Sequence, residues 1–323
     1  MADQRLAAVT GRPATPAKPS GRPDTPGIRI GLFVGGLIVA LIAGFALGKV
    51  IAPTTPAASN GMAGMNMTPL PTFNEASPHT HPNTSGPGSE VGGLAISAAG
   101  YTLVPRSSVY AVGKQTLTFT ITGPDRKVAT EFATVHDKLL HLVVVRRDLT
   151  GYQHLHPTKA ADGTWTVQVD LAKPGMWRAV ADFTAIGAGG VQTAATLGTD
   201  LTVAGDYKPV APPADARTSD VDGYTVTYEG TPSLGATSPL LFRVFKNGNP
   251  VTNLDRYLGS YGHLVVLRQL DVAYIHTHPE PDLSGGAVKF WAVSPSTGVY
   301  RMFFDFQVDG AVHTASFTLT AKG

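Results

Sequence analysis

The chain has 323 residues, of which 15% are charged, a formal net charge of +2 and no cysteine. That length accommodates two domains of ordinary size with additional segments, and the lack of cysteine excludes disulfides, thiolate metal sites and a lipid anchor on cysteine. Bases are concentrated in the first 29 residues, and from residue 53 onward acids slightly outnumber bases, so the larger part lacks the basic patch of a nucleic-acid binder.

Residues 1–27 are rich in Pro, Ala, Gly and Thr without apolar periodicity, which predicts a disordered cytoplasmic tail. Residues 28–52 enclose a charge-free apolar run, 30–48, long enough as a helix to cross the roughly 30 Å hydrocarbon layer. Arg5, Arg12, Lys18, Arg22 and Arg29 precede it, so the positive-inside rule puts the N-terminus in the cytoplasm and the rest outside the cell membrane. A cleaved signal peptide is the competing reading, with Ala57 and Ala58 as its small residues. The run exceeds the ~7 to 15 residues of a signal core, which favours an uncleaved single-pass anchor. Residues 53–92 are again rich in Pro, Ser, Asn, Thr and Gly and predict a flexible stalk. The stalk carries Met62, Met65 and Met67 and then His79 and His81. Thioethers suit copper(I) and imidazoles copper(II), so this segment is a candidate for metal capture.

From residue 93 the chain turns to short alternating segments such as QTLTFTITG and TWTVQVDL. The expectation is all-β, with two tandem Ig-like β-sandwich domains at 93–206 and 221–323 joined by a Pro-rich linker at 207–220. The two copies match at Gly100-Tyr101-Thr102 and Gly223-Tyr224-Thr225, at Trp177-Arg178 and Tyr300-Arg301, and at Asp182-Phe183 and Asp305-Phe306.

The strongest repeat is of histidines. His141 precedes His154-Leu-His156-Pro157 at the same spacing by which His263 precedes His276-Thr-His278-Pro279. In a strand, residues i and i+2 share a face, so each His-x-His is a potential chelate. His141 and His263 join them only if the intervening hairpin loop holds an even number of residues. Three imidazoles on one face supply most of a tetrahedral zinc or tetragonal copper(II) site. The structural alternative makes His141 and His263 core histidines with a backbone hydrogen bond, and His-x-His-Pro a strand end. Asp182 and Asp305 read first as carboxylates on a solvated face, and second as groups that complete a site or orient an imidazole. His136 aligns with Leu258 and His313 with Gln192, which leaves both outside a shared site, and Trp177 and Tyr300 read as core aromatics.

The pattern HLVVVxxDLxxYxHxHP followed by GxWRxxxDF resembles secreted or membrane-anchored β-sandwich proteins of actinobacteria and other bacteria, whose genes accompany heavy-metal and copper handling. In outline the chain is also similar to periplasmic copper-resistance sandwich proteins, which use His and Met ligands. What the resemblance implies is metal association at His141, His154 and His156 and at His263, His276 and His278. The second copy departs from the pattern at Leu270-Asp271, where the acidic residue shifts by one and alters the turn.

The leading expectation is therefore a membrane-anchored, extracytoplasmic metal-binding protein, with copper first and zinc as the alternative, for sequestration or transfer. No nucleophile elbow, phosphate loop or paired-glutamate motif points to an enzyme. The competing class is a surface interaction module with an unknown protein partner and structural histidines.

Overall fold

The computed structural model describes residues 91–323, all within one compact unit spanning 68–323. The tail, the apolar run 30–48 and the stalk methionines and histidines lie outside the described residues. Among those described, no helix is long and apolar enough to cross a membrane.

Two β-sandwiches follow one another. In the first, Ser97–Ala98, Tyr101–Pro105, Gly113–Thr122, Trp165–Leu171 and Thr158–Lys159 form one sheet. The facing sheet runs Val109–Tyr110, Gln192–Val203, Gly175–Ile186, Leu140–Arg146 and Gln153–Leu155. The second sandwich repeats the plan, with Thr218–Val221, Tyr224–Glu229, Ser238–Lys246, Val288–Ala292 and His278–Pro279 facing Ala311–Ala321, Gly298–Val308, His263–Arg268 and Tyr274–Ile275. Trp177 and Tyr300 are buried in the two cores as expected.

The strands disclose why some alternate in polarity and others do not. Gly113–Thr122 alternates because only one face meets a core. Leu140–Arg146 is buried at every position. Its Leu140, Leu142 and Val144 enter the core of the first sandwich, whereas Val143 and Val145 join Val265, Leu267, Tyr274 and Phe303 of the second in a separate cluster. The two sandwiches thus pack sheet against sheet, and the strand is apolar on both faces because each face meets a different core. Tyr152 of the first domain stacks on Phe303 of the second with ring centroids 3.9 Å apart.

Arg146 pairs with Asp148 and Arg268 with Asp271. The one-residue shift at Leu270-Asp271 is absorbed inside the turn, with Leu149 and Val272 both at positive φ. Strand register is unaffected, since Val143 faces His154 in the first copy and Val266 faces Ile275 in the second.

Val91–Gly92, read from sequence as the end of the stalk, is a strand that pairs antiparallel with Tyr274–Ile275 of the second domain. The next residue crosses to the first domain, where the Gly93 amide donates to Thr196 O at 3.0 Å and the Gly198 amide to Ala95 O at 2.8 Å. Arg178 clamps the same stretch through Gly93 O and Leu94 O. The passage has no spare room, because a Cβ on Gly198 would lie 1.8 Å from Gly93 O, a backbone atom that cannot swing aside. We therefore expect Gly198→Ala to displace this segment and speed amide exchange at Gly93 by at least tenfold. Unchanged protection there would contradict the packing.

Candidate metal centre at the domain interface

Hairpin register decides which histidines meet. Leu142 pairs with Leu155 and Val143 with His154, so partners have opposite parity and His141 shares its face with His154 and His156. The second hairpin obeys the same rule, with Leu267 opposite Tyr274. That shared face is the one turned toward the other domain, and the histidines of both copies therefore converge. Sequence reasoning placed one cluster in each domain; the structure instead forms a single composite group. His141, His154 and His263 each offer a ring nitrogen, and these atoms lie within 4.8 Å of one another. The rings of His141 and His263 stack across the interface, 5.3 Å apart and 1° from parallel.

The hydrogen bonds orient two of the three rings. His141 Nε2 donates to Val135 O at 3.0 Å, which leaves Nδ1 as the inward lone pair. His154 Nδ1 lies 2.9 Å from Asp305 Oδ2 of the other domain, a carboxylate that accepts, and its Nε2 sits 3.2 Å from His141 Nδ1. Two nitrogens bound tetrahedrally to one ion at about 2.0 to 2.1 Å stand about 3.3 Å apart, so this spacing fits a shared ligand pair. Carboxylate and carbonyl partners on the outer nitrogens are the usual support of metal-binding imidazoles. His263 differs from both. It is buried, and neither ring nitrogen has a hydrogen-bond partner among the described residues. Leaving such a group unpaired costs about 1 to 3 kcal/mol, a penalty that a ligated ion would reduce.

Asp305 corrects one expectation. Rather than lying on a solvated face it is 2% exposed, with Thr314 Oγ1 donating to its other oxygen at 2.6 Å. Its counterpart Asp182 accepts from Thr196 Oγ1 at 2.7 Å and stands 3.7 Å from His276 Nδ1. Each carboxylate thus faces the His-x-His of the opposite domain, but only Asp305 makes a close contact. His136 lies nearby, its ring 5.9 Å from that of His141 and 5.8 Å from that of His263, but it is not among the three histidines whose nitrogens converge. Its alignment with Leu258 holds, as both residues adopt positive φ. His156 borders the group, with its ring 5.1 Å from His141 and 4.9 Å from His154. His276 and His278 pair with each other, 4.7 Å apart, outside the three-membered group. His313 bonds Asp222 elsewhere. The sequence did carry a signal for Asp305: a carboxylate flanked by Met-Phe-Phe and Phe in a strand without alternation has to be partnered inside the protein.

Burial pushes the His141 and His156 rings down to about 3, with the neighbouring His154 contributing in both cases. Burial likewise holds His263 well below its ordinary value. The fold therefore keeps these rings neutral and ready as ligands, while the unfolded chain protonates them near 6.5. Because the unfolded state binds more protons between about pH 6.5 and 3, stability is complete above that window and is lost as pH falls through it. For the well-buried His141, titrating at about 3 rather than 6.5 withdraws on the order of 5 kcal/mol by the acid end, and the more exposed His156 withdraws less. Thermal melts should show a steep fall between pH 6.5 and 4. A melting temperature that stays level across that range would refute neutral burial of these rings.

Fold and site together define a class: a tandem β-sandwich protein with a buried imidazole group at its domain interface that could hold a metal ion. The chain belongs to the family described as domain of unknown function DUF8832, which matches it twice, over residues 95–200 and 219–323. No curated protein matches the sequence significantly. Among solved structures the chain is similar to a Salmonella alpha-2-macroglobulin, at 13% identity over 74% of this chain, with a TM-score of 0.22. It is also similar to a Corynebacterium diphtheriae protein whose description as membrane anchored is itself provisional, at 12% identity over 70% of this chain, with a TM-score of 0.21. A third likeness is to the N-terminal Ig1-2 module of the Drosophila receptor tyrosine phosphatase DLAR, at 10% identity over 69% of this chain and 99% of that one, with a TM-score of 0.18. The chain spans 16% of the Salmonella protein and 59% of the Corynebacterium protein.

Proposed function

We propose that this protein binds a transition-metal ion, copper(II) or zinc, between its two sandwiches, and serves as a membrane-anchored extracytoplasmic module that sequesters the ion or passes it on. One observation carries the reading: a buried His263 with two unpartnered nitrogens faces the inward lone pairs of His141 and His154. An all-nitrogen donor set suits divalent copper and zinc better than copper(I). Among the described residues, Met302 lies in the core of the second sandwich and Met176 lies at a strand end, half-exposed. Soft capture falls to Met62, Met65 and Met67 with His79 and His81, and His276 and His278 form the accessory pair beside the centre. Burial of the centre suits holding an ion rather than turning over a substrate.

The test is a titration of purified protein in which Met62, Met65, Met67, His79 and His81 are replaced, so that the stalk contributes nothing. One zinc or copper(II) per chain should bind at micromolar concentration or tighter, and His154→Ala with His263→Ala should abolish it. No binding above background, or binding unaffected by the pair, would overturn the reading.

A second reading has its own support. His141 holds a backbone carbonyl and stacks on neighbouring rings as a structural core histidine does. On that reading the sandwiches form a surface interaction module without metal, and the double substitution lowers the melting temperature while every metal titration stays at background.

A further inference from the structure

Resting on the metal reading above, the geometry points to His156 as a fourth ligand that closes the coordination shell. His156 Nε2 is buried and has no hydrogen-bond partner among the described residues. Its ring stands edge-on to both rings that carry the facing lone pairs, at 5.1 Å from His141 and 4.9 Å from His154. Register accounts for the position, because extending the Leu142–Leu155 pairing by one residue in each strand sets His156 opposite His141. Pro157 then ends the pairing, since it has no amide to donate. His156 therefore lies just past the end of the short strand Gln153–Leu155, and ligation requires its ring to turn toward the three converging nitrogens.

Three imidazoles leave an open position for water or substrate, whereas four tetrahedral ligands leave none. His141, His154 and His156 come from the first domain and His263 from the second, so the closed shell is also a cross-link between domains. Of the three unpartnered nitrogens near the group, one on His156 and two on His263, the closed shell then accounts for that of His156 and for one of His263. His136 is the competing candidate for the fourth position, being 5.9 Å and 5.8 Å from His141 and His263, but it is farther from the His141 ring than His156 is, at 5.1 Å.

The experiment uses the full chain with the stalk ligands replaced, loaded with zinc for X-ray absorption and with copper(II) for pulsed electron paramagnetic resonance. Four imidazoles per ion and no exchangeable water ligand are expected in the parent. His156→Ala should reduce the count to three, admit a water ligand and weaken zinc by at least tenfold. His156→Phe, which keeps the ring volume, should give the same count and so separates loss of a ligand from loss of packing. A parent with three imidazoles and one water would overturn the fourth ligand while leaving the metal reading intact, as would an unchanged count in both His156 variants or a drop seen only in His136→Ala. A parent that binds no ion removes the metal reading itself.

Discussion

Replacing His263 with Phe should make the ion-free protein more stable and the protein in metal weaker than its parent. His263 places an imidazole with two unpartnered nitrogens in a buried interface. Exchange for an apolar ring of similar shape removes that penalty, worth about 1 to 3 kcal/mol, less whatever the altered shape costs in packing. In the parent, an ion at a hundredfold excess over its dissociation constant adds about 2.7 kcal/mol. For a folded unit of this size a kilocalorie corresponds to roughly 2 to 4 °C, so metal should raise the parent melting temperature by about 5 to 10 °C. His263→Phe should melt several degrees higher than the parent in chelator and show no metal-induced rise. Calorimetry with and without zinc measures both. A variant that melts lower in chelator would mean that His263 has a structural partner and that its lone pairs are not held in reserve.

The second large effect is a difference between two aspartates that the sequence makes look equivalent. Asp305 is 2% exposed and meets His154 at 2.9 Å, with both side chains sealed from water. Removing Asp305 leaves the buried His154 N–H and the Thr314 hydroxyl without their acceptor, at about 1 to 3 kcal/mol each, and loss of the group that orients a ligand weakens metal about 10- to 100-fold. Asp182 is partly exposed and stands 3.7 Å from His276, a distance beyond a hydrogen bond. Asp305→Ala should therefore lower the melting temperature by about 6 °C or more and weaken zinc at least tenfold, whereas Asp182→Ala should cost about 1 kcal/mol or less and leave zinc affinity within threefold. Equal effects from the two variants would show that the asymmetry between the half-sites is not real in solution.

The sandwich architecture was legible because it is written in local signals. Alternation in Gly113–Thr122, Gly-containing turns and the matched Gly-Tyr-Thr and Trp-Arg or Tyr-Arg positions need only neighbouring residues to be read. The double-faced apolarity of His141–Val145 was visible too, but as a puzzle, since a lone sandwich offers no second core for the outer face. Which histidines meet is a property of domain docking, and docking leaves no period in the sequence. The repeat suggested two equal triads; the interface selected His141 and His154 from one copy and His263 from the other. Asp305 escaped for the same reason, since it reaches His154 from the opposite domain, outside the hairpin that supplies the His-x-His.

The strand Val91–Gly92 gives the protein an unusual mechanical layout. Beads on a string are pulled one after another, and tension passes through the peptide between them. Here the chain entering from its N-terminal side is stitched to the second domain through Tyr274–Ile275 and to the first through Thr196 and Gly198 before either domain's own strands begin. A tug from that end is shared by both bodies at once, and residues 207–217, which Asp148 and Thr320 hold by hydrogen bonds to Val210 and Asp215, are bypassed. A protease that nicks this stretch would leave the distal half still fastened to the proximal one.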